Sequence, residues 1–535
     1  MSVNALIFTE IMDDGYSFGR ALGAYRIATE LRKAGYTCQV IDFYTQFSQE
    51  ELDAIVAKYV GQDTLLVGFS STFFMYKDDV LGGFQKAQLS PETKSLMVST
   101  RTLSYQSLGT THLPYHYTKM QPWFASIRAI NPKLRIVVGG AKAQYLTGPC
   151  DAFIIGYADQ AIVEYIKYID GKNPFFQFER LPWEQIAIYG DQYKDKFEYT
   201  TSTVEWHPSD HIQQGEVVPI EIARGCIFKC KFCAYPLNGK SKLDYIKTES
   251  TLRDEFLKNY NEYGITKYVY ADDTHNDSVE KLEMLHSVVT NLPFKLEYAA
   301  YLRHDLIYAH KHTATLLKES GLRTAIFGIE TLNYDAAKAI GKGLHPDKIK
   351  ELLYWLKEDI WKNEISTTSG FIVGLPHDTR ETVKKWADWI LDLECPLDSF
   401  AIQPLFISKS DKKSRIWKSD FETNSEKYGY TVSENGNWSN DNFTRSEASV
   451  LAQELTDRAI ATNRHRNAGF SLLMLANLGF DINAINGLNR SSTIGREQFA
   501  AGRHKFINIY KQNILSDIQF KGTMVPLDYK PRDFY

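Results

Sequence analysis

The sequence predicts an α/β protein in three parts: a doubly wound parallel sheet over residues 1–170, a second parallel strand–helix series over 216–407, and a mainly helical region over 408–535, with an irregular connector at 171–215. Three observations predict it. Short, nearly continuous apolar runs alternate with helical patterns in residues 4–168; six further strand–helix units follow in residues 217–405; and that rhythm stops at about 408. Strands that are apolar throughout are buried on both faces, and their alternation with helices marks parallel sheets covered by crossovers.

In the first, Rossmann-like part, Asn4–Glu10 is an apolar run ending in a polar loop with Gly15 and Gly19. Ala21–Lys33 carries apolar residues at helical spacing, and Gly35 ends it. Cys38–Phe43, Thr64–Ser71, Leu134–Gly140 and Ala152–Tyr157 read as the next strands, and Met75–Thr118, rich in Ser, Thr, Tyr and Gly, reads as an insertion that shapes a site. Pro174, Pro182, Trp183 and Pro208 give the connector its irregular look. The second series has strands at 217–223, 267–271, 295–302, 323–329, 366–373 and 398–405, with helices between them at 248–263, 278–290, 306–319, 345–360 and 380–393. Six such units in a row fit a partial, TIM-like (β/α)6 barrel. Thr444-Arg-Ser-Glu447 is a capping box opening a helix through about Ala461.

Composition narrows the function classes. In 535 residues, 61 Lys and Arg oppose 65 Asp and Glu, a net charge of −4, which argues against a dedicated nucleic-acid-binding protein. The start has no basic segment before its short apolar run, and no apolar run approaches the ~18 residues of a spanning helix. These features point to a cytoplasmic protein with no membrane association. Arg464-His-Arg466, Trp438 and the many Tyr and Phe residues beyond 408 read as a region that closes over the barrel and helps select substrate.

Of six cysteines, Cys38, Cys150 and Cys395 stand alone and read as buried small side chains. The other three form Cys226-x3-Cys230-x2-Cys233, directly after the first strand of the second series. Thiolates select zinc or iron–sulfur clusters. A structural zinc site closes with four ligands, and no fourth Cys or His follows in the usual second-pair spacing. Three thiolates on a four-iron cube leave one iron open to substrate, which is what catalysis needs. A non-catalytic, zinc-stabilised binding protein is the alternative from another class.

With Phe232 before its last cysteine, this triplet resembles the signature of the radical S-adenosylmethionine (radical SAM) enzymes, and the resemblance spans about 217–405. It implies a [4Fe–4S] cluster on Cys226, Cys230 and Cys233. It also implies an S-adenosylmethionine (SAM) site: Asp272 and Asp273 of Tyr270-Ala-Asp-Asp-Thr274 at the amino group, Arg303 at the end of strand three, and Glu330 of Phe327-Gly-Ile-Glu at methionine or ribose. Gly370, Ile372 and Gly374 of Gly370-Phe-Ile-Val-Gly would shape the adenine pocket, and His377 stands where an acidic residue is usual. These residues fall at the C-terminal ends of successive predicted strands, where barrel enzymes build their sites. One-electron reduction of the cluster would cleave SAM to a 5′-deoxyadenosyl radical, so the resemblance also implies an electron donor such as flavodoxin or ferredoxin.

The first part resembles the cobalamin-binding domains that precede the barrel in one radical SAM subgroup. Asp14-Gly-Tyr16-Ser-Phe-Gly19, Ser71-Thr72 and Gly139-Gly140 stand at the corresponding loops, with Tyr16 in place of the His that would ligate cobalt. The subgroup implies cobalamin-dependent methyl transfer to an unactivated centre of a small-molecule or peptide substrate, one SAM methylating cobalt and another supplying the radical. A corrinoid-free rearrangement, epimerisation or cyclisation by the same barrel is the nearer alternative.

Overall fold

The computed structural model describes residues 2–10, 19–70, 121–140, 143, 150–181, 184–233, 245–362, 364–407, 419–433, 437–462, 472–479, 493–516 and 518. The expected insertion, Asp14, Tyr16, Ser71, Thr72 and Arg464–Arg466 lie outside these residues.

The first sheet comprises β1 (Ala5–Phe8), β2 (Cys38–Ile41), β3 (Leu66–Ser70), β4 (Arg135–Gly139), β5 (Ala152–Ile155), β6 (Glu179–Arg180) and β7 (Ile186–Tyr189), in the order β2-β1-β3-β4-β5-β7-β6. All pairs are parallel except β6 with β7. Alternation along β1 explains the double winding. Ala5 and Ile7 pack with the helices Leu22–Lys33 and Asp159–Ile169, whereas Leu6 and Phe8 pack with the helices Gln49–Tyr59 and Gln121–Ile130 on the other face. The segment read as a connector contributes β6 and β7 to this sheet; its Ile186-Ala-Ile-Tyr189 run is a parallel strand, and irregular structure resumes after it.

The second sheet comprises β8 (Val217–Ile220), β9 (Lys267–Tyr270), β10 (Glu297–Leu302), β11 (Leu322–Glu330), β12 (Ser366–Val373) and β13 (Ser399–Pro404), parallel throughout and paired in chain order. This is the expected six-strand partial barrel. Tyr268, Tyr270, Tyr298, Ala300 and Phe327 face the surrounding helices, while Val217, Val269 and Ala299 face inward. The helix expected at 306–319 is two helices, His304–Ala309 and Thr313–Glu319, broken at His310–His312.

The C-terminal region braces both sheets. Thr444 caps the helix Arg445–Ala461 as expected: the Glu447 N–H donates to Thr444 Oγ1 at 3.2 Å and the Thr444 N–H to Glu447 Oε2 at 2.7 Å. The 3-10 helix Leu472–Leu478 lies inside the barrel, with Leu473 and Met474 on Val217, Val269 and Ala299. The helix Thr493–Leu515 returns to the first sheet, where Tyr510 accepts from the Asp42 N–H at 2.9 Å and Lys511 pairs with Glu51 at 2.7 Å. Among the described residues, no helix is long and apolar enough to cross a membrane.

Candidate active site

The site is built at the C-terminal end of the barrel strands. Residues 226–233 leave β8 as a loop pinned from two sides. The Lys231 N–H donates to Ile340 O at 3.1 Å, the Phe421 N–H donates to Lys231 O at 3.0 Å, and Lys231 pairs with Asp420 at 3.1 Å. Gly341, at φ +85, brings its turn close enough that a Cβ would sit 3.9 Å from Cys230 Cα. Cys226 is buried; Cys230 and Cys233 are half-buried.

The surroundings of the sulfurs suit thiolates. The Phe228 N–H donates to Cys226 Sγ at 3.4 Å, Thr274 Oγ1 stands 3.4 Å from the same sulfur, and Arg303 Nη1 donates to Cys230 Sγ at 3.3 Å. Burial pushes the Cys226 thiol up, which opposes a free thiolate there and leaves its deprotonation to a metal that neutralises the charge. Three sulfurs on one loop, two of them within reach of hydrogen-bond donors, fit an iron–sulfur cluster. Among the described residues, no three His, Cys, Asp or Glu side chains gather around a single ion; thiolates on three irons of a cube stand further apart than the ligands of one metal.

The two aspartates after β9 do different work. Asp272 is buried and accepts from the Ile222 and Ala223 N–H groups at 2.8 and 3.0 Å, which ties β9 to β8. Burial pushes its carboxyl up, but Lys281 at 3.0 Å, His275 and the amide donors outweigh that and hold it well below the usual carboxylate range. Asp273 is less well compensated. Burial, Asp272 and Glu221 push its carboxyl up to about 7, and Lys281 offsets only part of that rise. A buried-side acid facing other acids awaits a positive group.

Arg303, only 6% exposed, is held by Asp305 through Nε at 3.0 Å and Nη2 at 2.6 Å and lies over the Phe228 ring at 4.0 Å. Glu330 ends β11 in the left-handed region at φ +67, where the β11–β12 register shifts. Such a conformation is costly for a side-chain-bearing residue and is common at functional sites. Its Oε1 pairs with Lys342 at 3.0 Å, and Lys342 also donates to Gly328 O and lies 5.8 Å over the Phe232 ring. Gly370 shares the inward face of β12 with half-buried Ile372, and a Cβ on it would meet nothing nearer than Glu330 Oε2 at 3.9 Å. That opening suits a ligand lying on the backbone. Gly374 has a different reason to be glycine: at φ +94, a Cβ there would stand 2.5 Å from Trp438. Beyond it, buried Asp378 holds the loop by accepting from the Gly374 and Leu375 N–H groups, and His377 sits at φ +66.

The first sheet meets this site edge to edge. Arg224, after β8, donates to Asp159, after β5, at 2.8 and 3.2 Å, and lies over Tyr157 at 4.4 Å and Tyr199 at 4.7 Å. Burial works against Glu221, yet Arg224 and Arg26 hold its carboxyl down to about 2. Gly139 ends β4 with only Ile154 near a built Cβ, at 3.8 Å, and Gly140 follows at φ +100. Gly19 is covered instead: a Cβ on it would stand 2.6 Å from Met474 Cε.

Residues 220–390 match the Radical SAM superfamily model. The barrel is a radical SAM domain. The curated relatives of the chain include an uncharacterized methyltransferase from Pyrococcus horikoshii, 24% identical over 38% of this chain and 42% of its own length. Another is an anaerobic magnesium-protoporphyrin IX monomethyl ester cyclase from Cereibacter sphaeroides, 24% identical over 56% of this chain and 52% of its own. The chain thus spans about half the length of these relatives. Among solved structures, the radical SAM methyltransferase TsrM from Kitasatospora setae, with cobalamin and a [4Fe–4S] cluster, is similar at a TM-score of 0.60 and 13% identity, over 94% of this chain and 100% of that one. The cobalamin-dependent radical SAM enzyme OxsB is similar at 0.52 and 12% identity, over 96% and 75%. The fold, sheet domain included, is that of the cobalamin-dependent radical SAM enzymes.

Within this radical SAM domain, the expected residues Phe232, Asp273, Arg303, Glu330, Gly370 and Ile372 share the cysteine end of the barrel. Asp272 is committed to strand pairing, and Gly374 to packing under Trp438. Sequence reasoning missed Lys342, Thr274, Tyr157 and Arg224. Arg224 and Thr274 stand beside Cys226 and Asp273 in sequence, yet the partners that give them a place at the site, Asp159 and Cys226, lie 65 and 48 residues away, and Lys342 and Tyr157 sit in no recognisable pattern.

Proposed function

We propose that this protein is a cobalamin-dependent radical SAM methyltransferase acting on an unactivated centre of a small-molecule or peptide substrate. The observation that carries the reading is the abutment of the two sheet edges. Arg224 after β8 and Asp159 after β5 join the cysteine end of the barrel to the C-terminal edge of a sheet ordered β2-β1-β3-β4-β5, the edge where doubly wound domains bind ligands. Bound there, a [4Fe–4S] cluster would supply the electron that cleaves SAM, and a corrin would supply a cobalt nucleophile. Cys226, Cys230 and Cys233 would hold the cluster, Asp273 would receive the positive end of SAM, and Gly370 would leave room for its flat base. Gly139 and Gly140 would let a cofactor approach the backbone at the end of β4. Tyr157 and the aromatic-caged Arg224 would exclude water from the seam. A flavodoxin- or ferredoxin-type protein would deliver the electron.

One observation favours the corrinoid-free alternative: Met474 fills the space beside Gly19. Anaerobic reconstitution with hydroxocobalamin, followed by desalting, separates the two. Retention near one corrin per chain, with S-adenosylhomocysteine formed alongside 5′-deoxyadenosine, is the expected result. A reconstituted cluster without corrin retention would end the cobalamin reading and turn the search to rearrangements and cyclisations.

A further inference from the structure

Arg303 is the residue whose observed contacts depart furthest from the role its motif implies. By resemblance it would grip SAM, yet its guanidinium is directed at a cysteine sulfur, with Nη1 donating to Cys230 Sγ at 3.3 Å. Everything around it fixes that pose. Asp305 takes Nε and Nη2 as a fork, Phe228 of the cysteine loop supports the plane from below at 4.0 Å, and the Asn276 side chain holds the Arg303 main chain from both sides, at 2.7 Å to its N–H and 2.9 Å to its carbonyl. At Cys226 the contacts are uncharged: the Phe228 N–H donates to its sulfur, and its thiol faces the Thr274 hydroxyl. Cys230 alone of these two faces a full positive charge, and charge-assisted hydrogen bonds are about twice as strong as neutral ones.

We propose that Arg303 is a positioning residue that tunes the reduction potential of the cluster through Cys230. This rests on the reading that the three cysteines hold a [4Fe–4S] cluster. Reduction adds one electron from a low-potential iron–sulfur or flavin donor protein and moves no proton, so negative charge grows on the cluster and its sulfurs. A guanidinium hydrogen-bonded to Cys230 Sγ stabilises the reduced form more than the oxidised one and raises the potential. Asp305 moderates the effect by countering part of the charge while it aims the fork. A lysine cannot reproduce the arrangement, because an ammonium has no planar fork to satisfy Asp305 and the sulfur together.

The test is an EPR-monitored redox titration of the anaerobically reconstituted full chain without SAM, after iron and sulfide analysis of each variant. Arg303→Met is expected to keep its cluster and to lower the one-electron reduction equilibrium by about tenfold, which is 59 mV for one electron. Arg303→Lys is expected to recover part of that loss. Asp305→Asn, which keeps every cluster-facing group, is expected to shift the equilibrium the opposite way, and it decides the matter if Arg303→Met fails to assemble. Opposite shifts cannot come from a merely structural role. Unchanged potentials, or shifts of the same sign in both positions, would overturn the inference, as would weakened SAM binding at an unaltered potential. A wild-type chain that binds no cluster would instead remove the reading on which the inference rests.

Discussion

The two sheet edges that meet at Arg224 are built to opposite plans. Along the first sheet the seam is closed, and its arginines are paired with carboxylates. Arg20 is buried against Glu216 at 2.6 Å, Tyr25 at 2.9 Å and the Asp210 carbonyl at 2.7 Å, and lies over the Tyr510 ring. Arg32 holds Asp210, Arg26 holds Glu221, and Met474 covers Gly19. The barrel edge keeps what the seam avoids: an acid at Asp273 that Lys281 only partly offsets, a left-handed Glu330 and an open glycine at Gly370. Poorly compensated charge and backbone strain cost stability, so a fold tolerates them where a ligand repays the cost. The seam sets where the two edges stand; the barrel edge carries the chemistry.

Breaking the seam is expected to have the largest effect on stability. Arg224→Ala removes a side chain that is 8% exposed and leaves Asp159 and Glu221 buried with less compensation. Breaking a buried pair from one side costs about 3–5 kcal/mol. Arg26 still reaches Glu221 at 3.0 Å and Asp159 at 3.7 Å, which puts the expectation at the lower end. Urea denaturation followed by fluorescence checks it; a loss under about 1 kcal/mol would mean that the seam is not structural.

A smaller effect of opposite sign is expected at the barrel edge. The folded-state carboxyl of Asp273 is raised to about 7, above its unfolded value. Its contribution to stability is therefore full below about pH 4 and is lost as pH rises through 7. Asp273→Asn lacks that loss, so it is expected to be more stable than the wild type at pH 8 by on the order of 1 kcal/mol, with no gain at pH 4. Denaturation midpoints across that range should converge toward acid. Parallel curves would remove Asp273 from the site.

The same contrast explains how much of the molecule the sequence discloses. All six barrel strands stand within a few residues of the apolar runs that announce them, because a strand buried on both faces must be apolar throughout. The Cys226–Cys233 loop is readable because its chemistry needs three thiols at short spacing. Strand β7 escaped because four apolar residues, Ile186–Tyr189, sit between Pro182-Trp183 and a 3-10 turn, too short a run to separate from a connector. Lys342 and Tyr157 could not be read at all. Their partners, Glu330 and Arg224, are set by chain reversals and by the docking of one sheet on another, which no local pattern records. The divergent roles of Asp272 and Asp273 were equally hidden, since side chains one residue apart leave a strand end in opposite directions.

The central claim is that Cys226, Cys230 and Cys233 hold a cluster that opens SAM. The most direct measurement is 5′-deoxyadenosine formation from SAM by the anaerobically reconstituted full chain under a low-potential reductant, with iron and sulfide determined on the same sample. The expected result is about four irons and four sulfides per chain, with turnover in the wild type and loss of both cluster and turnover in Cys230→Ala. SAM cleavage that persists in Cys230→Ala, or a wild-type chain that binds a single zinc and leaves SAM intact, would contradict it.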